Sequence, residues 1–387
     1  MSKNTLPKNF PEQYSPLALL LQQMGEENCV YGGNSMEIIT SGLRKRELLL
    51  EDIRRAKSFI HMQYYRFGND KAGREVRDLL LQKAAEGVEV RLLNNNLSYW
   101  LTIPSTYYKK MTRAGVEVIP FTHIRHGLGR WLYRINHQMH RKVVVIDGQV
   151  AYTGGMNLND NYFFKWRDTH LRITGEAVAG LNASFMKDWK DSGGRFSYPP
   201  EHYAPVPLPQ DAPLKDKLVQ LVSDAPGEEE SAMLAAYRWM LDHAQKYVYI
   251  QTPYFVPPRP LMEALGNAVK RGVDVRLMFP RDVDTLFMNS TNRAYYRDCL
   301  NAGVRILERG GEFIHCKTMV SDDRLAVIGA SNLDWRSFYV NYEINSIIYD
   351  PETAVYCKDI FLADAQQSRE VKKGSWCRFM RLFYRLL

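Results

Sequence analysis

The sequence is short of the features that would settle its class at once. Its five cysteines, Cys29, Cys299, Cys316, Cys357 and Cys377, are an odd number without C-x-x-C spacing. Neither a disulfide framework nor a zinc ribbon is indicated, and a reducing cytoplasm is the simplest compartment. No apolar run approaches bilayer-spanning length: residues 1–13 lack a signal-peptide core, and Leu17-Ala18-Leu19-Leu20-Leu21 is far too short to cross. Acidic residues are outnumbered, 43 against 51 Lys and Arg, for a net charge of +8. That excess favours an anionic partner, either nucleic acid or an acidic membrane surface. What is plentiful is core material, since 387 residues at 45% hydrophobic and 24% charged suffice for two globular domains and exclude a disordered chain.

The chain also repeats itself. His140, Lys142 and Asp147 form an H-x-K-x4-D pattern that returns as His315, Lys317 and Asp322, 175 residues later. Gly154 and Gly329, and Asn157 and Asn332, keep the same offset, so no insertion separates the copies over that span. The acids Asp168 and Glu343 each lie 28 residues beyond the histidine of their own copy. Upstream, Tyr107-Tyr108 with Ala114-Gly115-Val116 matches Tyr295-Tyr296 with Ala302-Gly303-Val304 at an offset of 188. A repeat of this length describes two similar domains, not a chance motif.

Six prolines between Ser197 and Lys215 are hostile to helix and central strand, which predicts a linker. The expected division is residues 1–198 as the first domain, 199–215 as linker, 216–370 as the second domain and 371–387 as a basic tail. Within each half, strand and helix alternate: 59–64, 76–86 and 88–93 in the first, 247–251, 261–270 and 273–279 in the second. Gly87 and Gly272 stand where those helices should stop. Alternation of this kind predicts an α/β fold, each half a mixed sheet flanked by helices. Val143-Val144-Val145-Ile146 reads as a buried strand ended by Asp147-Gly148, a turn signal. Because alternate residues of a strand share a face, His140 and Lys142 project together while Arg141 points away. His315 and Lys317 do the same, with Cys316 opposite. A pseudo-twofold packing of the halves then places two His-Lys pairs across one cleft.

Two histidines and two lysines suit displacement at a phosphodiester. Imidazole serves as nucleophile or as general acid near neutral pH. The lysines and the side-chain amides of Asn157 and Asn332 are expected to hold the non-bridging oxygens. Asp168 and Glu343 are each expected to accept Nδ1–H from the histidine of their own repeat, fixing its tautomer. Asp147 and Asp322 complete the candidate catalytic set as motif members, with orientation of neighbouring groups their more natural task. No metal or cofactor is called for: His123, His126, His137 and His140 include i, i+3 pairs, but no acid or cysteine accompanies them and the second repeat has no equivalent.

These two motifs, with Gly-Gly-Met-Asn and Gly-Ala-Ser-Asn following, resemble the phospholipase D superfamily across both halves. The stretches Trp166-Arg167-Asp168-Thr169-His170 and Trp335-Arg336-Ser337-Phe338-Tyr339-Val340-Asn341-Tyr342-Glu343 are similar to bacterial cardiolipin synthases in particular. The resemblance implies a phosphatidyltransferase that converts two phosphatidylglycerols to cardiolipin and glycerol through a phosphatidyl-histidine. It makes His140 the nucleophile and His315 the acid, then the base. The alternatives are a phospholipase D hydrolase, or a superfamily nuclease that the positive charge would permit. Two departures from the family stand out: the amino-terminal pair of transmembrane segments is absent from the sequence, and Met139 replaces an asparagine common in the first motif.

The expected partners are phosphatidylglycerol and an anionic membrane surface, not nucleic acid, and the expected location is peripheral, on the cytoplasmic side of a bacterial membrane. Two segments suit that contact. In the tail, Trp376, Phe379 and Phe383 share one helical face while Arg378 lies with other arginines on the opposite one. The first repeat also carries about thirteen extra residues before its motif, including Arg130, Trp131 and Tyr133, which suggest a flap. Tyr64-Tyr65 and Tyr254-Phe255 read as core or lipid-cleft residues.

Overall fold

The computed structural model describes residues 5–95, 105–121, 136–205, 216–282 and 286–372. The segment expected to form a flap (122–135) and the tail from residue 373 lie outside these.

The first half contributes β1 (Val30–Ile39), β2 (Phe59–Tyr64), β3 (Glu89–Asn94), β4 (Glu117–Pro120), β5 (Val143–Ile146), β6 (Val150–Gly154) and β7 (His170–Thr174). The second contributes β8 (Lys217–Asp224), β9 (Tyr247–Gln251), β10 (Phe255–Val256), β11 (Asp274–Pro280), β12 (Arg305–Arg309), β13 (Thr318–Ser321), β14 (Leu325–Gly329), β15 (Leu333–Asp334), β16 (Glu343–Ile348) and β17 (Ser368–Val371). Among the described residues the two half-sheets join edge to edge into one 15-stranded sheet, ordered β17-β12-β11-β9-β13-β14-β16-β8-β1-β7-β6-β5-β2-β3-β4. From the seam outward the halves are copies, because β8, β16, β14, β13, β9, β11 and β12 take the places of β1, β7, β6, β5, β2, β3 and β4. The seam is the antiparallel pairing of β1 with β8, where Val30 faces Gln220 and Tyr31 faces Val219.

Local sequence explains the elements. The helices Lys71–Ala85 and Arg259–Lys270 stop at Gly87 and Gly272. There φ is +89° and +90°, a conformation that side chains with a Cβ resist. Asp70 caps the first of these helices by accepting from Gly73 N at 3.0 Å. Alternation along β5 sends Val144 and Ile146 to one face of the sheet and Val143 and Val145 to the other.

The two faces are organised differently. On one, helices Ala177–Asp191 and Pro351–Gln366 cover a single core that runs across both halves, from Phe59 and Leu181 to Ile328 and Phe361. On the other, each half has its own core, under Gly42–Arg55 and Lys71–Ala85 in the first and under Ala232–His243 and Arg259–Lys270 in the second. Helix Ser15–Met24, at the start of the chain, packs Leu17, Ala18 and Leu21 into the core of the second half, not the first. Chain order and spatial halves therefore differ there from the expected division. The Pro-rich segment also begins packed: Tyr203 is buried, and its hydroxyl donates to Glu89 Oε2 at 2.7 Å.

Candidate functional site

Both motifs lead directly into strands β5 and β13, and the residues just before them cross the seam. Residues 138–140 pair with Tyr342: Tyr342 N donates to Gln138 O and His140 N to Tyr342 O, each at 2.9 Å. In the same way Arg167 N donates to Phe313 O at 3.0 Å and His315 N to Arg167 O at 2.7 Å. Each histidine thus lies beside the acid-bearing segment of the opposite half. His140 Nδ1 is 2.9 Å from both carboxylate oxygens of Glu343, and His315 Nδ1 is 2.8 Å from Asp168 Oδ2.

This corrects the expectation that each acid serves the histidine of its own repeat. The reason is positional. Asp168 lies two residues before β7 and Glu343 opens β16; both strands lie one strand from the seam, so the two carboxylates meet whatever crosses it. The Gly154-Gly155 turn helps seat one of them, since a Cβ on Gly155 would fall 2.3 Å from Asp168 Oδ1.

His140, Lys142, His315, Lys317, Asp168 and Glu343 are all brought together and buried. Each lysine folds back onto its own histidine's carbonyl, Lys142 Nζ to His140 O and Lys317 Nζ to His315 O, both at 2.6 Å. Lys317 Nζ also lies 2.8 Å from Nδ1 and 3.1 Å from Nε2 of His315. Burial dominates the electrostatics. It pulls His140 down to about 4 against the pull of Glu343. It takes His315 to about 3, with Lys317 adding to the depression and Asp168 opposing it. Lys142 falls to about 7 and Lys317 to about 8 for the same reason. For the acids, burial works against charge, but the facing imidazoles and lysines overcome it and hold Asp168 and Glu343 below the ordinary carboxylate range. Burial therefore favours neutral imidazoles and lowers the cost of deprotonating both lysines.

Asp147 and Asp322 are not part of it. Both sit at positive φ, 53° and 54°, in the turn after their strands. Asp147 accepts from the amides of Lys57, Ser58 and Phe59 at 2.8–2.9 Å. Asp322 accepts from those of Gln245, Lys246 and Tyr247 at 2.7–3.0 Å. Each carboxylate fastens its turn to the start of the neighbouring strand, so their inclusion among catalytic residues is corrected to a structural role. The asparagines differ from each other. Asn157 is engaged at both ends of its side chain, accepting from Arg66 N at 3.2 Å and donating to the Tyr162 hydroxyl at 2.9 Å. Asn332 Oδ1 is buried without a protein partner. That free atom is an acceptor, suited to a ligand hydroxyl and not to a phosphate oxygen, which only the amide nitrogen could hold.

The structure adds residues that spacing did not single out. Tyr65 packs edge-on against His140, ring centroids 5.1 Å apart, while Tyr162, Trp166 and Tyr254 surround His315 at 5.2, 5.5 and 6.2 Å. Of the two aromatic pairs, Tyr64 and Phe255 lie in the cores, whereas Tyr65 and Tyr254 lie beside the two histidines. On the far side of each motif strand lies one buried arginine. Arg141 bonds Asp188 Oδ2 at 2.8 Å and Ser223 Oγ at 2.6 Å, tying β5 to the second half. Cys316 has no charge to offer at the matching place, and Arg167 reaches across instead, to Cys316 Sγ at 3.2 Å and Asp364 Oδ2 at 3.0 Å. The signal was present in the repeat, which reads Arg141 against Cys316 and Arg167 against Tyr342 at one offset. Lys45 is a further buried lysine, bonded to Met156 O at 2.9 Å behind the first motif.

Comparison with known proteins places both halves in one family. The family described as "Cardiolipin synthase, PLD-like domain" matches residues 49–189 and again 237–365, one match in each half. The chain is 36% identical over 368 residues to the major cardiolipin synthase ClsA of Bacillus subtilis, covering 92% of this chain and 75% of that protein. It is 34% identical over 381 residues to a cardiolipin synthase of Oceanobacillus iheyensis, covering 96% and 78%. Among solved structures, phosphatidylserine synthase from Haemophilus influenzae superposes with a TM-score of 0.67 at 16% identity, over 95% of this chain and 98% of that one, a likeness of fold. Two family matches, one around each histidine and its lysine, and relatives covered over most of their length lead to one placement: the chain belongs to the cardiolipin synthase family of PLD-like proteins.

Proposed function

We propose that the chain is a phosphatidyltransferase that joins two phosphatidylglycerols into cardiolipin and releases glycerol. The observation that carries this reading is the crossed pair of His-acid couples, each with its lysine, at one seam between two repeats. A phosphodiester bound there has an imidazole on each side of phosphorus, the arrangement an in-line displacement requires. His140 Nε2 attacks phosphorus while the Nε2 proton of His315 passes to the departing glycerol oxygen. A hydroxyl of the second phosphatidylglycerol then attacks, its proton goes to His315 Nε2, and the P–Nε2 bond to His140 breaks. Lys142, Lys317 and the amide nitrogen of Asn332 are the donors for the non-bridging oxygens. The phosphate's own charge favours protonation of groups that burial has depressed, so substrate loads the acid it needs.

The order of roles is supported by the surroundings of the two rings. His315 Nε2 already has Tyr162 and Lys317 beside it, as suits a group that passes protons. His140 is bonded through Nδ1. For membrane contact, no described helix is long and apolar enough to cross a bilayer. Phe164 and Trp335 nevertheless stay exposed on the equivalent short helices Asp160–Phe164 and Trp335–Tyr339 of the two repeats, where large apolar side chains suit a lipid surface.

The test is acid quenching of enzyme turning over phosphatidylglycerol labelled in its phosphatidyl group. Label is expected on His140, with cardiolipin and free glycerol as products. Label on His315 would reverse the roles, and nicking of single-stranded DNA without lipid turnover would replace the reading with a nuclease.

A further inference from the structure

The second repeat copies the first closely, but it does not copy Tyr162. The equivalent position at the 175-residue offset is Ser337, whose hydroxyl accepts from Asn332 N at 3.1 Å and also bonds the acid Glu343. Tyr162 does something different. It is buried, it accepts from Asn157 Nδ2 at 2.9 Å, and its hydroxyl lies 3.4 Å from Nε2 of His315. Nδ1–H of His315 is committed to Asp168 at 2.8 Å, so the neutral ring keeps its lone pair on Nε2, which the phenol and Lys317 Nζ, 3.1 Å away, face as donors. The phenol ring stands edge-on to the imidazole, 87° between planes, and Trp166 closes the outer side 4.8 Å from Tyr162.

We infer that Tyr162 is a specificity-determining residue that keeps water from the base, so that the phosphatidyl group passes to a lipid alcohol. This rests on His315 as the acid-base group of the proposed reaction. In the second step either acceptor does the same chemistry: its oxygen bonds phosphorus, the P–Nε2 bond to His140 breaks, and the hydroxyl proton goes to His315 Nε2. A lipid alcohol gives a diester, and water gives phosphatidic acid. With the phenol in place, an acceptor must displace its hydroxyl from Nε2. A second lipid does so with the binding energy of its whole headgroup and chains, whereas water brings only its own hydrogen bonds. Removal of the hydroxyl leaves a gap of one oxygen atom lined by Asn157 and Nε2, polar partners that a water satisfies.

The experiment compares wild type with Tyr162→Phe and Tyr162→Leu on phosphatidylglycerol vesicles in 18O-water, with cardiolipin, free glycerol and 18O in phosphatidic acid measured together. The expected result is a rise of about tenfold in the ratio of phosphatidic acid to cardiolipin for Tyr162→Phe, larger for Tyr162→Leu. Glycerol release should fall less than cardiolipin formation. An unchanged ratio in both variants, at any total rate, overturns the inference, as does a wild type that makes phosphatidic acid alone. A wild type that releases no glycerol from phosphatidylglycerol sinks the proposed reaction instead.

Discussion

The two halves are built on one plan and complete each other unequally. Each gives a histidine and a lysine to the cleft and sends its acid to the other side, so neither half by itself holds a working His-acid couple. That exchange is symmetric. The support around it is not: the buried arginines behind both motif strands, Arg141 and Arg167, belong to the first half, as do Tyr162 and the buried Lys45. The second half has Cys316, Tyr342 and Ser337 at the positions equivalent to Arg141, Arg167 and Tyr162. A duplicated site needs twofold geometry at phosphorus, and only there. Around that point the halves were left to diverge, which is how two similar histidines come to have different neighbours.

The largest expected effects would break the comparison. His140→Ala and His315→Ala should each lower turnover of phosphatidylglycerol by about 10⁴-fold or more, and the double variant should be little worse than either, because the groups act as a unit. Steady-state rates on vesicles check this. A single variant that kept a tenth of the activity would mean two independent half-sites in place of one shared site.

A sharper measurement concerns the exchange of acids. With 15N-labelled imidazoles, Glu343→Gln should perturb the Nδ1 signal of His140 and leave that of His315, and Asp168→Asn should do the reverse. Each variant should also lower activity about 10³-fold through loss of tautomer control. Both wild-type rings should stay neutral on acidification until about pH 4 for His140 and about pH 3 for His315. Because those values lie below that of an unfolded histidine, the stability they contribute is complete above about pH 6.5 and is lost as pH falls toward them. Perturbation of the ring in the same repeat would restore the uncrossed arrangement.

Much of this was readable in the chain. The β-branched run of β5, the glycines ending two helices and the constant offsets gave the elements, the repeat and the chemistry-bearing side chains. The exchange was not readable, for a definite reason: an acid 28 residues beyond each histidine fits pairing within a repeat and pairing between repeats equally well. The deciding contacts join residues 203 and 147 positions apart, across a seam that local pattern does not describe. The packing of Ser15–Met24 onto the second half escaped for a similar reason, since its apolar face is generic and fits either core. Asp147 and Asp322 were a different matter. Each is seven residues beyond its histidine along an extended chain, and at about 3.3 Å per residue that is roughly 20 Å, too far to share a phosphate.

That distance leads to the smallest expected effect on catalysis and the most even one across the halves. Asp147→Ala and Asp322→Ala each remove the acceptor of three backbone amides and place alanine at a φ near +55°. Loss of those bonds and the strained turn should cost about 2–3 kcal/mol of stability in either half. Asn at the same positions should recover part of it, since it tolerates that backbone and keeps one acceptor oxygen. Denaturant midpoints measure the loss, and rates at a temperature where both variants stay folded should lie within about threefold of wild type. The two aspartates should therefore behave alike although the histidines they follow do not. If one of them instead abolished turnover in a folded protein, that half would be transmitting its turn geometry to the cleft, and the equivalence of the two frames would fail at its simplest point.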